Sequence, residues 1–241
     1  TDSETVENIK RDLGLDLPLW QQYFLYLNDL SPISIDKSRE DSRYGGVTLI
    51  PISEHRAVLK APYLRKSYQT KQPVSDMLLE AAPASLLLAS AAILLAILIG
   101  LPAGIVSAMK ADSWIDRMLL SISSIGMSLP SYFAAILIGW IFAFILGKYT
   151  GLNLTGSLYE YDLVTKRLAL QNIILPAITL GIRPLSVVMQ LTRNSLLTEI
   201  KGDYFRTARA KGLSIRKAIW KHALRNSLNP VVTALSGWFA S

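Results

Sequence analysis

The sequence has no cysteine and only two histidines, His55 and His222, among its 241 residues. The absence of cysteine excludes a disulfide framework and a thiolate metal site. The two histidines lie far apart in the chain, and neither has a recognisable second metal ligand. We therefore predict that the chain binds no metal, and we interpret His222 as one polar position of an amphipathic helix.

Motifs for nucleotide hydrolysis and for common hydrolases are also missing. The chain has no G-x-x-x-x-G-K-[ST] phosphate loop, no H-E-x-x-H zinc motif and no G-x-S-x-G nucleophile turn. No catalytic constellation is predicted, and this chain is not expected to hydrolyse ATP by a Walker mechanism. We expect a protein that is not an enzyme and that binds no cofactor of its own.

Charged side chains are missing over two long runs, from Ala81 to Met109 and from Met118 to Gly147. At about 1.5 Å of rise per residue, a helix over either run is longer than a hydrocarbon core of roughly 30 Å. Residues 168–192 form a third apolar run, interrupted only by Arg183, and residues 226–241 form a fourth. These four runs are the predicted membrane spans.

The fold predicted from this pattern is an all-α, polytopic transmembrane helical bundle over residues 74–241. Residues 1–73 are polar and form an extramembrane loop or subdomain, with a helix ending at Gly14, an aromatic amphipathic segment after Pro18 and one strand-like run at 46–52. The sequence starts with Thr1 and is still apolar at Ser241, so we expect truncation at both ends.

The distribution of basic residues predicts the orientation. Between Arg193 and Arg225 lie nine cationic side chains and only two acidic ones, which places residues 193–225 in the cytoplasm. Alternation then puts residues 110–117 inside, and residues 1–73 and 148–167 outside. Orientation and contact with anionic lipid account for the net charge of +7, so nucleic acid is not an expected partner.

The basic stretch "DYFRTARAKGLSIRKAIWKHALR" predicts two short helices over residues 203–225, which we call the helical pair. Gly212 suits the left-handed position that ends the first helix, and Ser214 can cap the second. Lys217, Lys221 and Arg225 are spaced four residues apart and repel one another, which favours an external partner. The alternative is a solvated loop that contacts anionic lipid.

The helical pair resembles the cytoplasmic loop of permease subunits of binding-protein-dependent ABC importers. The family pattern is E-A-A, three residues, Gly, nine residues and I-x-L-P; here Arg206-Thr207-Ala208, Gly212 and His222–Arg225 occupy these places. "RTARAKG" followed by "HALRN" resembles the sequence typical of the dipeptide, oligopeptide and nickel permease branch. "ENIKRDLGLDLPLWQQYFLYL", "SLPSYFAAIL" and "LPAITLGIRPLSVVMQLTRNSLL" are similar to other segments of that branch.

The resemblance implies a MetI-like, multi-pass permease of the bacterial cytoplasmic membrane. Its implied partners are a homologous second permease, cytoplasmic ATPase subunits that bind ATP and Mg²⁺, an extracytoplasmic solute-binding protein, and lipid. The cargo stays open among dipeptides, longer peptides, nickel chelates and glutathione-like solutes. The competing hypotheses are a membrane-anchored scaffold or sensor that binds through residues 1–73, and an intramembrane enzyme.

The resemblance also implies that the helical pair docks into a cleft of the ATPase, with its aromatic side chains in the partner's groove. The expected coupling residues are Tyr204, Phe205, Arg206, Thr207, Ala208, Arg209, Ala210, Lys211, Gly212, Ile215, Ile219 and His222. The candidate residues of a translocation path are Pro130, Ser131 and Arg183. Arg183 contacts a peptide carboxylate, pairs with Glu80 or another acid, or snorkels outward beside Pro184; the sequence leaves these alternatives open.

Overall fold

A computed structural model describes residues 7, 10, 14–37, 44, 46–52, 55–67, 69–154, 157–161 and 166–240. Most of the helix predicted before Gly14 lies outside these residues. The chain divides into two compact units, Thr1–Ala82 and Pro83–Ser241, so the division falls a little after the predicted boundary at residue 73.

The first unit combines one helix with a small sheet. Helix α1 (Leu19–Leu30) begins directly after Pro18, as the sequence predicts. The antiparallel sheet has the order β1-β3-β2 and consists of β1 (Ile33–Lys37), β2 (Val47–Ile52) and β3 (His55–Leu59). The strand predicted at 46–52 is β2, and its two partner strands were not predicted.

A buried carboxylate connects α1 to the rest of this unit. Asp29 is 1% exposed and accepts hydrogen bonds from the Tyr44 hydroxyl and from the Arg65 guanidinium, whose Nη2 lies 2.7 Å from Asp29 Oδ2. The Lys60 ammonium lies 4.3 Å from the centroid of the Tyr44 ring, and burial lowers the pKa of Lys60. Removing one partner of such a buried network leaves an uncompensated charge, so the network favours a single arrangement of these segments.

The second unit is helical apart from a short hairpin. Its elements are α2 (Val74–Met109), which begins in the first unit, α3 (Trp114–Ser128), α4 (Ser131–Gly139), a π-helical segment (Trp140–Ile145), α5 (Gly147–Thr150), β4 (Tyr159–Tyr161), β5 (Lys166–Leu168), α6 (Gln171–Lys201), α7 (Asp203–Ala210), α8 (Ile215–Ala218), a second π-helical segment (Ile219–Ala223), α9 (Leu224–Ser227) and α10 (Asn229–Ala240). Among the described residues, α2 and α6 are long and apolar enough to cross a membrane. The predicted helical fold class is confirmed.

The predicted span at 118–147 is not one continuous helix. α3 ends at Ser128, Leu129 is extended with φ −69° and ψ 127°, and the following helical stretch is bent by 109° relative to α3. Pro130 explains the break, because proline disfavours a helical conformation of the residue before it. Pro102 does not end its helix, since α2 continues to Met109.

Helices α2 and α6 approach each other closely through glycines. A Cβ added at Gly100 would lie 2.7 Å from the Leu185 carbonyl oxygen, and one added at Gly104 would lie 2.6 Å from that of Met189. Atoms do not come this close without a shift of the backbone, so only glycine fits at these two positions. Small residues at such a contact are the usual means of tight helix packing in membranes.

We predict that Gly104→Ala lowers the free energy of unfolding by about 1–3 kcal/mol, because the added methyl group overpacks the contact with α6. Gly237→Ala is the matched control: it makes the same change within a helix at a position with no neighbour within 4 Å of the added Cβ. Denaturant titration of the purified protein measures both. Equal stability of the two variants would contradict the close packing of α2 on α6.

Candidate coupling surface and membrane cavity

The first helix of the helical pair ends in a glycine turn, as predicted. Gly212 has φ +87°, its N–H donates to the Arg209 carbonyl at 3.0 Å, and the Leu213 N–H donates to the Ala208 carbonyl at 3.3 Å. These two bonds satisfy carbonyls at the end of α7 in a Schellman motif. A Cβ at Gly212 would meet no atom within 4 Å, so only the backbone conformation requires glycine here.

The second helix begins at the predicted cap and then changes its winding. The Ser214 hydroxyl accepts a hydrogen bond from the Lys217 N–H, and the Leu224 N–H donates to the Ile219 carbonyl five residues earlier. The π-helical segment shifts the phase of the helix. Ile215 and Ile219 were both expected coupling residues, but they lie on different sides of the helix: Ile215 is 54% exposed and Ile219 is buried.

A hydrophobic core lies beneath the helical pair. Phe205 and Ile219 are buried, with exposures of 6% and 2%, and they form one cluster with Ile105 of α2 and Leu196 of α6. The resemblance implied that the aromatic side chains of the helical pair lie in a partner's groove, but Phe205 packs against residues of this chain itself. The side chains of Phe205 and Ile219 attach the helical pair to the C-terminal part of α2 and to α6 near Leu196.

The opposite side of the helical pair is exposed, and we call it the outer face. All seven cationic side chains of the helical pair lie there: Arg206, Arg209, Lys211, Arg216, Lys217, Lys221 and Arg225. Two large apolar side chains are exposed among them, Ile215 and Trp220, which is 64% exposed. Trp220 was not among the predicted coupling residues.

The remaining predicted coupling residues divide between the two sides. Tyr204, Thr207, Ala210 and Gly212 are exposed, Ala208 is buried, and His222 is half-buried. The Tyr204 hydroxyl donates to the Glu199 carboxylate near the end of α6. Burial and this carboxylate raise the pKa of Tyr204 to about 12, so the hydroxyl remains a hydrogen-bond donor at neutral pH.

A buried ion pair lies close to the same end of the unit. Asp116 is 1% exposed, and its carboxylate accepts from Arg193 Nε at 2.7 Å and from Nη2 at 2.6 Å. It also accepts from the Ser107 hydroxyl and from the Asp112 N–H. These bonds tie α2, α3 and α6 together, and the sequence did not indicate them because the charged partners are far apart in the chain.

Two of the three predicted path residues meet at one cavity. The cavity has a volume of about 350 Å³, and Ser131 and Arg183 both line it. Pro130 is not among its lining residues, but it is the N-cap of α4 and creates the bend from which Ser131 reaches the cavity. Within the described part of the chain, no group of three His, Asp or Glu residues is placed to hold a metal ion.

We predict that Phe205→Ala lowers the free energy of unfolding by about 3–5 kcal/mol, because it leaves a cavity between the helical pair and the ends of α2 and α6. Trp220→Ala serves as the control, since this larger side chain is mostly exposed and its removal should cost about 0.5 kcal/mol or less. Denaturant titration distinguishes the two. A destabilised Trp220→Ala and an unaffected Phe205→Ala would reverse the assignment of the two faces.

Comparison with known proteins identifies the family. Residues 100–239 match the family described as the binding-protein-dependent transport system inner membrane component. The dipeptide transport system permease protein of Alkalihalophilus pseudofirmus is 30% identical over 247 residues, which cover 96% of this chain and 66% of the relative.

Two further relatives have related names. The di/tripeptide transport system permease protein of Pseudomonas aeruginosa is 33% identical and covers 92% of this chain and 62% of its own length. The oligopeptide transport system permease protein of Haemophilus influenzae is 30% identical, with coverages of 98% and 64%. The chain therefore spans a little under two thirds of the length of these relatives.

The family match covers α3 to α9 completely, and with them the helical pair, the Asp116–Arg193 ion pair and the bend at Pro130. It also covers both glycines of the α2–α6 contact. The chain belongs to the inner membrane components of binding-protein-dependent transport systems.

Proposed function

We propose that this chain is the permease subunit of an ABC importer that moves peptides across the cytoplasmic membrane. The relatives from Alkalihalophilus pseudofirmus, Pseudomonas aeruginosa and Haemophilus influenzae are named for the transport of dipeptides, di- and tripeptides and oligopeptides, which supports a peptide as cargo. The chain crosses the membrane several times and works with a second permease and an extracytoplasmic solute-binding protein. ATP and Mg²⁺ bind to separate ATPase subunits.

The two-sided helical pair is the observation that carries this proposal. Its inner side is buried against α2 and α6, while its outer face presents Trp220 and Ile215 among cations. A tryptophan surrounded by charges is a favourable anchor for a protein partner, because aromatic side chains dominate the binding energy of interfaces. The cations complement an acidic rim around the partner's cleft or the anionic lipid surface.

The attachment explains how the ATPase acts on the membrane segments. A displacement of the helical pair is transmitted through Phe205 to α2 and α6, because a close-packed core does not compress. The Asp116–Arg193 ion pair passes the displacement on to α3. ATP-driven movement at the outer face thereby reaches the helices that line the cavity.

We predict that Trp220→Ala weakens binding of the ATPase by about 30-fold or more, since a buried hot spot contributes at least about 2 kcal/mol. The fold should remain intact, because the side chain is exposed. The measurements are co-purification of the ATPase and ATP-driven uptake of a labelled dipeptide by the complete transporter in vesicles.

Trp114→Ala is the matched control. Trp114 is 73% exposed and lies on the same predicted side of the membrane, but outside the helical pair. Its substitution should leave ATPase binding and uptake close to wild type. Wild-type binding by Trp220→Ala, or equal losses of binding in both variants, would contradict docking on the outer face. Residues 203–225 would then be interpreted as a loop that contacts anionic lipid.

A further inference from the structure

The cavity that contains Ser131 and Arg183 lies within the helical unit. Its walls come from α2, from the bend between α3 and α4, from α6 and from α10, and they include Ala92, Ile93, Gly126, Ala134, Trp238 and Phe239. The volume of about 350 Å³ falls in the range of small-molecule sites, roughly 300–1,000 Å³. The walls are mostly apolar, so any charged group in the cavity is conspicuous.

Arg183 is the charged residue among those lining this cavity. Its side chain is exposed, and it makes no ion pair and no hydrogen bond with the residues that the structure describes. The alternative of a structural partner therefore has no support among the described acids of the helical unit. A guanidinium without a partner at this depth is energetically costly, and pairing with an anion lowers that cost.

The position of Arg183 along α6 argues against snorkelling. With residues 168–192 as the span, Arg183 lies about 18 Å from Gln171 and about 15 Å from Arg193 along the helix axis, at 1.5 Å per residue. These distances place it near the middle of a hydrocarbon core of roughly 30 Å. Its side chain is much shorter than either distance, so the guanidinium stays at cavity depth.

We propose that this cavity binds the free carboxylate of a peptide during transport, with Arg183 as its counter-ion. The inference rests on the proposed function, and it adds the part of the substrate that is recognised and the cavity that binds it. The planar guanidinium binds a carboxylate through two parallel N–H donors. The Ser131 hydroxyl, which lines the same cavity, supplies a further donor, and the apolar walls accommodate a side chain of the peptide.

The first experiment uses the lack of cysteine in this chain. In the complete transporter with cysteine-free partners, Ser131→Cys is treated with an anionic sulfonatoethyl and a cationic trimethylammonioethyl methanethiosulfonate. The anionic reagent should react faster, and Arg183→Gln should lower the anion-to-cation rate ratio by about tenfold. Arg183→Lys should retain most of the ratio, and Arg117→Gln, which neutralises an exposed arginine elsewhere, should not change it.

The second experiment tests the ligand. A dipeptide should protect Ser131→Cys from modification, whereas its C-terminal amide should not. In uptake assays with Ser131 intact, Arg183→Gln should reduce the preference for the dipeptide over its amide by about tenfold, because a hydrogen-bonded charge is lost. Uptake of the amide should stay close to wild type.

The other outcomes of these experiments would contradict either the carboxylate site or the proposed function. A rate ratio that does not respond to Arg183→Gln, or equal loss of uptake for dipeptide and amide, would mean that Arg183 pairs with a carboxylate of the protein itself. The carboxylate site would then be rejected, while continuing peptide uptake by the wild type would leave the proposed function in place. Protection by the dipeptide without ATP-driven uptake would reject the proposed function and keep the site.

Discussion

The burial of Phe205 and Ile219 against α2 and α6 is the contact on which the account of this chain depends. It makes the helical pair part of the helical bundle rather than a loop that follows it. The cations and Trp220 are consequently left on the outer face, where a partner can reach them. In the proposed function, the inner side transmits force and the outer face receives it, so different residues carry the two tasks.

Helix α6 connects the elements of this account. Its C-terminal part contacts the helical pair through Leu196, and Arg193 near that end pairs with Asp116 of α3. Its middle packs against the glycines of α2 and carries Arg183 into the cavity. Tight packing along one helix allows a displacement at the membrane surface to alter a cavity about 15 Å deeper.

Local signals in the sequence were sufficient for several features. The uncharged run at 81–109 predicted α2, Gly212 predicted the left-handed turn, and Ser214 predicted the cap, because each depends on a few adjacent residues. The apolar composition of the run at 118–147 does not give the bend of 109° between its two helical parts. The sequence did not indicate which side chains of the helical pair are buried, because the burial of Phe205 and Ile219 depends on contacts with α2 and α6.

Long-range contacts could not be predicted from the sequence. The partners of Asp116, of Gly104 and of Asp29 lie in distant parts of the chain, and their pairing emerges only when the helices and strands pack. The meeting of Ser131 and Arg183 at one cavity is of the same kind, although each residue had been singled out by itself. Sequence patterns thus identified which residues are unusual, and packing decides which of them act together.

The central claim is that the helical pair and α6 move as one body when the ATPase works. The most direct test is the distance between spin labels attached to Thr198→Cys on α6 and Ser214→Cys in the helical pair, both of which are exposed positions. The distance should be the same in the nucleotide-free and ATP-trapped forms of the complete transporter. A distance that changes between the two forms would show that the helical pair hinges independently of α6, and would contradict the account.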